Sequence, residues 1–411
     1  MEEKMSQEGF DKIKKECINS GLCFECGACS AVCPTQALQM RRYEWGYNPE
    51  LCGSCKEESC DLCARACAGR VQPQRKVEEK FFGRAANAEE RKAEIGVVRN
   101  FYTGYTNDPV VREHAVSGGI ITSVILNGLE QGLIDGAVVA GWNAEKPWIG
   151  EAQVVRNREE LLACSGSMYQ PHPQLLGLRK ALDMGLQKIA VTATPCAAAS
   201  LRKIMLDEKF ADISKRIKVI ICNFCAAHWS RYATEWLITE KMKLKLEDVK
   251  KMLYRARPFP GMFKVWLKDG TVREEKFVYG FLSHMGRFTP EECRYCLDKV
   301  GYNADLAVGD TWGHPTKQPG KILPLDPNAP DADPFLIRAK QGISQFLTRS
   351  EIGEQMLQSA IDHGYLTVCK ESEEIKFQVI SSVASDKITS NKNPIAARER
   401  RGMPVRDYQK D

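Results

Sequence analysis

Apolar and polar positions fall into two regimes along the chain. Up to about residue 75 the pattern is broken every few residues by cysteine, whereas from Ile95 onward short apolar runs alternate with amphipathic segments. Ile121, Val124, Ile125 and Leu129 share one face at helical spacing. With Ser117 placed to cap and Gly132 to terminate, they predict a helix from Ser117 to about Gln131. Buried strands are expected at Ala137–Ala140, Ile189–Thr192 and Val219–Cys222, with helices from about Ala197 and over Ser230–Lys243. That alternation predicts a parallel sheet flanked by helices. Phe263–Leu267 and Val272–Val278 flank an Asp269-Gly270 turn and predict a hairpin. The proline-rich stretch Gly313–Pro334 predicts an irregular loop, and Ile352–His363 a last amphipathic helix. Lys76–Lys92 is charged and predicts a helical or flexible linker.

Length adds that 411 residues exceed one ordinary core, so two or three domains are expected. Apolar content of 43% and charged content of 27% suit a soluble globular chain. No apolar run approaches the ~18 residues of a membrane span, and the polar stretch Met1–Lys15 is no secretory signal. A cytoplasmic protein without direct membrane insertion is expected. Ten of the seventeen cysteines lie between Cys17 and Cys67. A reducing compartment turns such a cluster away from disulfides and toward metal, in a cell poor in oxygen. The formal charge of +5 carries little weight, because each thiolate-bound cubane brings about −2. No stripe of Lys and Arg interleaved with aromatics appears, so no nucleic-acid partner is expected.

The run Cys23-x2-Cys26-x2-Cys29-x3-Cys33-Pro34 is the bacterial ferredoxin motif. Three close cysteines wrap one [4Fe-4S] cluster, and the fourth, set apart and turned by proline, reaches its neighbour. The alternative, a zinc knuckle, does not end in Cys-Pro. Cys52, Cys55, Cys60, Cys63 and Cys67 then compete for four positions. Since Cys63-x3-Cys67 repeats the end of the first motif, Cys52, Cys55 and Cys63 are assigned with Cys33 to a second cluster. Cys67 crosses back to Cys23, Cys26 and Cys29. Cys60 is left over, though it and Cys63 are interchangeable at this level, and Cys17 is taken as a plain thiol.

Cys196, Cys222/Cys225 and Cys293-x2-Cys296 are scattered, but two of these sites follow directly on expected strands. Ligands of open α/β sheets gather at carboxyl ends of strands. In this region the chain resembles the coenzyme F420 hydrogenase/dehydrogenase β-subunit family. The resemblance rests on Ser117-Gly-Gly-Ile-Ile-Thr122, Leu133-Ile-Asp-Gly-Ala137, Gly166-Ser-Met-Tyr169, Thr194-Pro-Cys196, Phe224-Cys225, Cys293-x2-Cys296, Ala304-Asp-Leu-Ala-Val-Gly-Asp310 and Phe335-Leu-Ile-Arg338 with Gly342. It spans about Ile95 to Val368, and an N-terminal ferredoxin domain is a familiar fusion. The resemblance implies one FAD and one further [4Fe-4S] cluster, the latter on Cys196, Cys225, Cys293 and Cys296. It implies flavin contacts at Ser117, Gly118, Gly119 and Thr122, with Gly166, Ser167, Tyr169 and Thr194 lining the cofactor. A helix N-terminus with two glycines also suits a pyrophosphate. Two departures fall at the presumed active face: Met168 where the family commonly has lysine, and Ala197 where glutamine is usual. The first bears on F420 itself, unless Arg202 or Lys203 supplies the charge.

The expected architecture is therefore α/β (α+β overall). A ferredoxin-like domain takes residues 1–75 and a linker 76–94. An α/β flavin and iron–sulfur domain with a mainly parallel sheet follows, in two parts, 95–180 and 181–370, before a tail at 371–411. The expected function is a flavoprotein oxidoreductase, with electrons passing from a two-electron substrate through FAD and three [4Fe-4S] clusters to a partner. That partner is a catalytic subunit or another redox protein, and coenzyme F420 and ferredoxin are the candidate carriers. The rivals are a stand-alone ferredoxin-dependent reductase and a non-enzymatic relay. No GxGxxG run marks an NAD(P) site. No catalytic residue is assigned; Asp305, Asp310, His114, His172, His228, His284 and His314 are unranked candidates.

Overall fold

The computed structural model describes residues 8–55, 60–276, 285–311 and 342–409. Its strands are β1 (Leu38–Arg42), β2 (Tyr47–Leu51), β3 (Asn100–Thr106), β4 (Gly136–Trp142), β5 (Gly150–Val155), β6 (Ile189–Ala193), β7 (Ile217–Asn223), β8 (Val249–Ala256), β9 (Met262–Leu267), β10 (Val272–Lys276), β11 (Leu306–Asp310), β12 (Ser344–Thr348) and β13 (Leu366–Lys370). The three strands expected from apolar runs are β4, β6 and β7, and they pair in parallel side by side. β11 continues the parallel set. The whole sheet is mixed, in the order β13-β3-β12-β11-β7-β6-β4-β5, because β5, β12, β3 and β13 add antiparallel flanks. The parallel sheet of the sequence reading is thus its centre. The β4–β5 connection is too short for a crossover, which forces that pair antiparallel.

Alternation along the central strands feeds two cores. Val138, Val191, Ile220 and Ala307 face one side, with the helices Leu176–Asp183 and Pro195–Leu206. Val139, Ala190, Ile221 and Val308 face the other, with the helices Ile120–Glu130 and Glu351–Asp362. A separate three-stranded sheet, β8-β9-β10, carries the expected hairpin as far as Lys276 and packs with Trp229, Leu237 and Ile238. Val278 and the loop 313–334 lie outside the described residues, as do Phe335–Arg338.

Two sequence expectations change. Ser117 does not cap the helix; Gly119 stands at its N-cap with φ 73°, in the left-handed region that favours glycine. The Ser117 hydroxyl instead donates to Ile343 O at 2.9 Å, tying the segment to the start of β12. Residues 371–411, expected as a tail, hold the 28-residue helix Glu373–Arg400. Val379, Ile380, Ala384 and Ile388 bury into the first core. The charged linker is also helical, over Gln74–Phe82 and Ala88–Lys92, the second with an Asn87–Glu90 capping box.

The N-terminal part contributes the β1–β2 hairpin and a small core of Ile13, Cys29 and Leu38 against Phe10, Cys33, Cys63 and Cys67. So little apolar area needs a staple to stay folded. A buried ion pair serves the larger unit: Arg202 Nη2 lies 2.7 Å from Asp305 Oδ1, while Asp305 also accepts from Ile220 N and Ser350 Oγ. Arg202→Met would leave that carboxylate under-compensated. It is expected to lower stability by about 3–5 kcal/mol, measured by denaturant titration.

Candidate functional site

Consecutive parallel strands present their carboxyl ends on one side, and there a cavity of about 810 Å³ opens, a size suited to a cofactor. Thr192 of β6 and Thr194 just after it, Asn223 at the end of β7, and Gly309 and Asp310 of β11 line it. Of the residues expected at the flavin, Ser117, Gly119, Thr122, Gly166, Ser167, Tyr169 and Thr194 line it too. Gly118 is set back: its N–H donates to Ser344 Oγ at 2.9 Å, and a Cβ there would meet Gly104 O at 2.5 Å. It serves the close approach to β3 rather than offering an open N–H.

Aromatic and polar groups divide the wall. Tyr169 stacks on Trp229 at 4.4 Å and 19°, and burial pushes its phenol pKa up. Arg255 Nη1 lies 2.5 Å from Asp310 Oδ2 and 3.5 Å from Tyr169 Oη. Sequence reasoning missed Arg255, which sits on β8 with no motif around it. Gln345 donates from Nε2 to Asp310 O at 2.8 Å, and its buried Oε1 has no partner among the described residues. It is an acceptor left for a bound group, the kind of orphan a cofactor satisfies. His114, His172 and His228 all line the cavity. Burial lowers His172 and brings His228 down to about 3, so these two imidazoles are neutral at pH 7. His284 and His314 lie outside the described residues. Burial pushes the Cys164 thiol up to about 11. Met168 packs against Gly150. Neither suggested substitute for its missing charge comes to it: Arg202 is paired with Asp305, and Lys203 Nζ donates to Cys67 O at 2.6 Å. Of the two acids, Asp310 belongs to the cavity and Asp305 to the core.

Cys225, on the cavity wall, begins the next site. Cys196 opens the helix Pro195–Leu206, Cys225 follows β7, and Cys293 and Cys296 flank the end of the short turn Glu291–Tyr295. Burial raises the Cys196 thiol, and Cys296 and Cys225 raise it further; Cys225 does the same to Cys293. Cys225 and Cys296 thus lie near Cys196, and Cys225 near Cys293. Polar groups reach two of the sulfurs: His228 N donates to Cys293 Sγ at 3.4 Å, and Thr194 Oγ1 lies 3.2 Å from Cys196 Sγ, where either atom can donate. Cys222 is fully buried in the sheet core. Among the described residues no three His, Cys, Asp or Glu side chains close on a single ion. A cubane, with a separate iron at each thiolate, asks for wider spacing, and four thiols with donors to sulfur fit it.

Two more sets stand in the N-terminal part. Burial raises Cys29, and Cys67, Cys23 and Cys26 raise it further. Cys63, expected in the second set, acts on Cys29 as well. Cys17, taken as a plain thiol, lies buried with its Sγ 3.7 Å from Cys67 Sγ. With the Gly69 N–H and the Lys203 ammonium, it lowers the Cys67 thiol against the effect of burial. In the other set Cys63 has Cys60, Cys55 and Cys33 as its electrostatic neighbours, and the four line one small cavity. Cys52 stands apart, exposed, with Arg41 Nη2 3.7 Å from its sulfur. The structure thus brings Cys60 to the place assigned to Cys52. A signal was available: Cys60-x2-Cys63-x3-Cys67 repeats Cys26-x2-Cys29-x3-Cys33. The first and third sets are neighbours. Cys26 Sγ lies 3.7 Å from Ser200 Oγ, one turn along the helix that Cys196 opens, and Cys26 and Cys196 join one apolar cluster.

The family model described as coenzyme F420 hydrogenase/dehydrogenase, beta subunit N-term, matches residues 101–179, and its C-terminus counterpart matches residues 186–374. The chain belongs to this family. Within it, the chain is 26% identical to the coenzyme F420 hydrogenase subunit beta of Methanothermobacter thermautotrophicus, over 76% of this chain and 99% of that one. It is 27% identical to the coenzyme F420-dependent sulfite reductase of Methanocaldococcus jannaschii, over 72% of this chain and 43% of that one. A chain of the F420-reducing [NiFe] hydrogenase complex from Methanosarcina barkeri shares the fold, with a TM-score of 0.58 and 24% identity, over 76% of this chain and 96% of that one. The segments matched to the beta-subunit family leave out residues 1–100, with both N-terminal cysteine sets, and residues 375–411, with most of the C-terminal helix.

Proposed function

We propose that this beta-subunit family chain is an oxidoreductase subunit. It would exchange electrons between a two-electron carrier of the coenzyme F420 type, at an FAD in the cavity, and one-electron partners reached through three [4Fe-4S] clusters. The observation that carries the reading is Cys225, which belongs at once to the cavity wall and to the third cysteine set. FAD would be held by Ser117, Gly119, Thr122, Gly166, Ser167, Tyr169 and Thr194, with Gln345 Oε1 as a further acceptor. The clusters would be held by Cys23, Cys26, Cys29 and Cys67, by Cys33, Cys55, Cys60 and Cys63, and by Cys196, Cys225, Cys293 and Cys296. When bound, FAD supplies the exchange between paired and single electrons, which cubanes carry one at a time.

The chain supplies position and charge. Tyr169 on Trp229 gives a flat apolar wall that excludes water. Burial holds the imidazoles of His172 and His228 in the neutral form, so they would line the cofactor without adding charge. Arg255 offers a guanidinium to an anionic carrier where Met168 offers none. Its relatives named as hydrogenase or dehydrogenase subunits favour a catalytic partner subunit for this chain as well. Among the described residues no helix is long and apolar enough to cross a membrane.

Anaerobic mixing with reduced F420 tests the reading: flavin absorbance should bleach first and cluster absorbance after it. Bleaching by reduced ferredoxin alone would favour the ferredoxin-dependent reductase instead. Arg255→Met is expected to weaken F420 binding about ten- to a hundredfold, the worth of one charge-assisted contact, with FAD content unchanged. Titration of F420 against the flavin-loaded variant measures it.

A further inference from the structure

The C-terminal helix, almost wholly beyond the family-matched segment, closes over the third cysteine set. It carries Lys387 and Asn391 four residues apart, on one face. Lys387 is 5% exposed, and its Nζ donates to Cys225 O and to Asp298 O, each at 2.9 Å. Asn391 Nδ2 donates to Cys293 O at 2.8 Å and Cys296 O at 2.7 Å. Three of the four cysteines are therefore gripped through their carbonyls by one helix. Past its end, buried Arg406 donates to Glu292 O at 2.9 Å and Leu22 O at 3.3 Å, the residues just before Cys293 and Cys23.

An ammonium buried this deeply needs compensating negative charge. The Asp298 carboxylate is nearby, itself held by Gly301 N and Tyr302 N at 2.7 and 2.9 Å. The rest would come from the thiolate-bound cluster, which gains one more negative charge on reduction. A fixed cation stabilises the reduced form more than the oxidised one, and so raises the potential.

We propose that Lys387 is a positioning residue of the third cluster, whose fixed charge raises that cluster's reduction potential. This rests on the third cluster of the proposed function. The experiment is an anaerobic redox titration of the iron-loaded full chain, followed by electron paramagnetic resonance, with iron counted on every sample. In Lys387→Met the oxidised-to-reduced ratio at a given potential should rise at least tenfold, a fall of 59 mV or more for a one-electron couple. Lys387→Arg, which keeps the charge, should stay within that limit. Asn391→Ala, which removes two hydrogen bonds and no charge, should stay within it as well. An unshifted Lys387→Met with full iron overturns the inference, and so does a shift of equal size in Asn391→Ala. Loss of about four irons from Lys387→Met alone also overturns it, since the ammonium would then build the site rather than tune it. A wild-type chain with about eight irons instead removes the third cluster and with it the underlying reading.

Discussion

Cys60→Ala is expected to cost the chain one ferredoxin cluster, whereas Cys52→Ala should leave both in place. Iron should fall by about four from about twelve in the first variant and stay constant in the second. The reason is geometric. Cys60 shares a cavity with Cys33, Cys55 and Cys63 and stands first among the thiols acting on Cys63. Cys52 is exposed at the end of the β1–β2 hairpin, with its sulfur near Arg41 and Glu50 O. Metal analysis and low-temperature electron paramagnetic resonance of both variants decide the matter. A silent Cys60→Ala with a damaged Cys52→Ala would restore the assignment made from spacing. Zinc in place of iron in the wild type would end the iron–sulfur reading.

In Cys196→Ala the third cluster should be lost, leaving about eight irons, while FAD stays bound. Reduced F420 should still bleach the flavin, but the ferredoxin clusters should then no longer follow on the wild-type time scale. Cys26 and Cys196 meet in one apolar cluster, with Ser200 between the cysteine sets. Taking out the group beside the cavity therefore opens a gap that the other two sets do not span. Rapid-mixing spectra at flavin and cluster wavelengths measure both phases. Cluster reduction at the wild-type rate would show that electrons enter by another route.

Fold and site were legible to different depths. Apolar runs located β4, β6 and β7 and their parallel pairing, since a strand buried on both faces writes itself as a continuous run. The flanking strands β3, β5, β12 and β13 carry more polar or mixed patterns and were not foreseen. The C-terminal helix had a signal in Ile380, Ala384 and Ile388, spaced four apart, but it lies within a mostly polar stretch. The cavity residues Ser117, Gly119, Thr122, Gly166, Ser167, Tyr169 and Thr194 were legible through the short motifs of the family resemblance. Arg255 and Gln345 were not, because each enters from a strand whose local sequence carries no chemistry of its own.

The sequence by itself determined the chemistry available: cysteines at ferredoxin spacing, four more on strand ends and turns, and a glycine-bearing helix start. Those features are local, and residues a few positions apart share a turn whatever surrounds them. Only the tertiary structure decided which thiols meet, that Cys60 rather than Cys52 shares a cavity with Cys33, and that Arg255 pairs with Asp310 at the larger cavity. It also decided that Lys387 and Asn391 grip the loops of a cysteine set about 90 to 160 residues upstream. Such meetings depend on sheet order and on which helix covers which face. The pattern of any one segment records that it is buried, not what it is buried against.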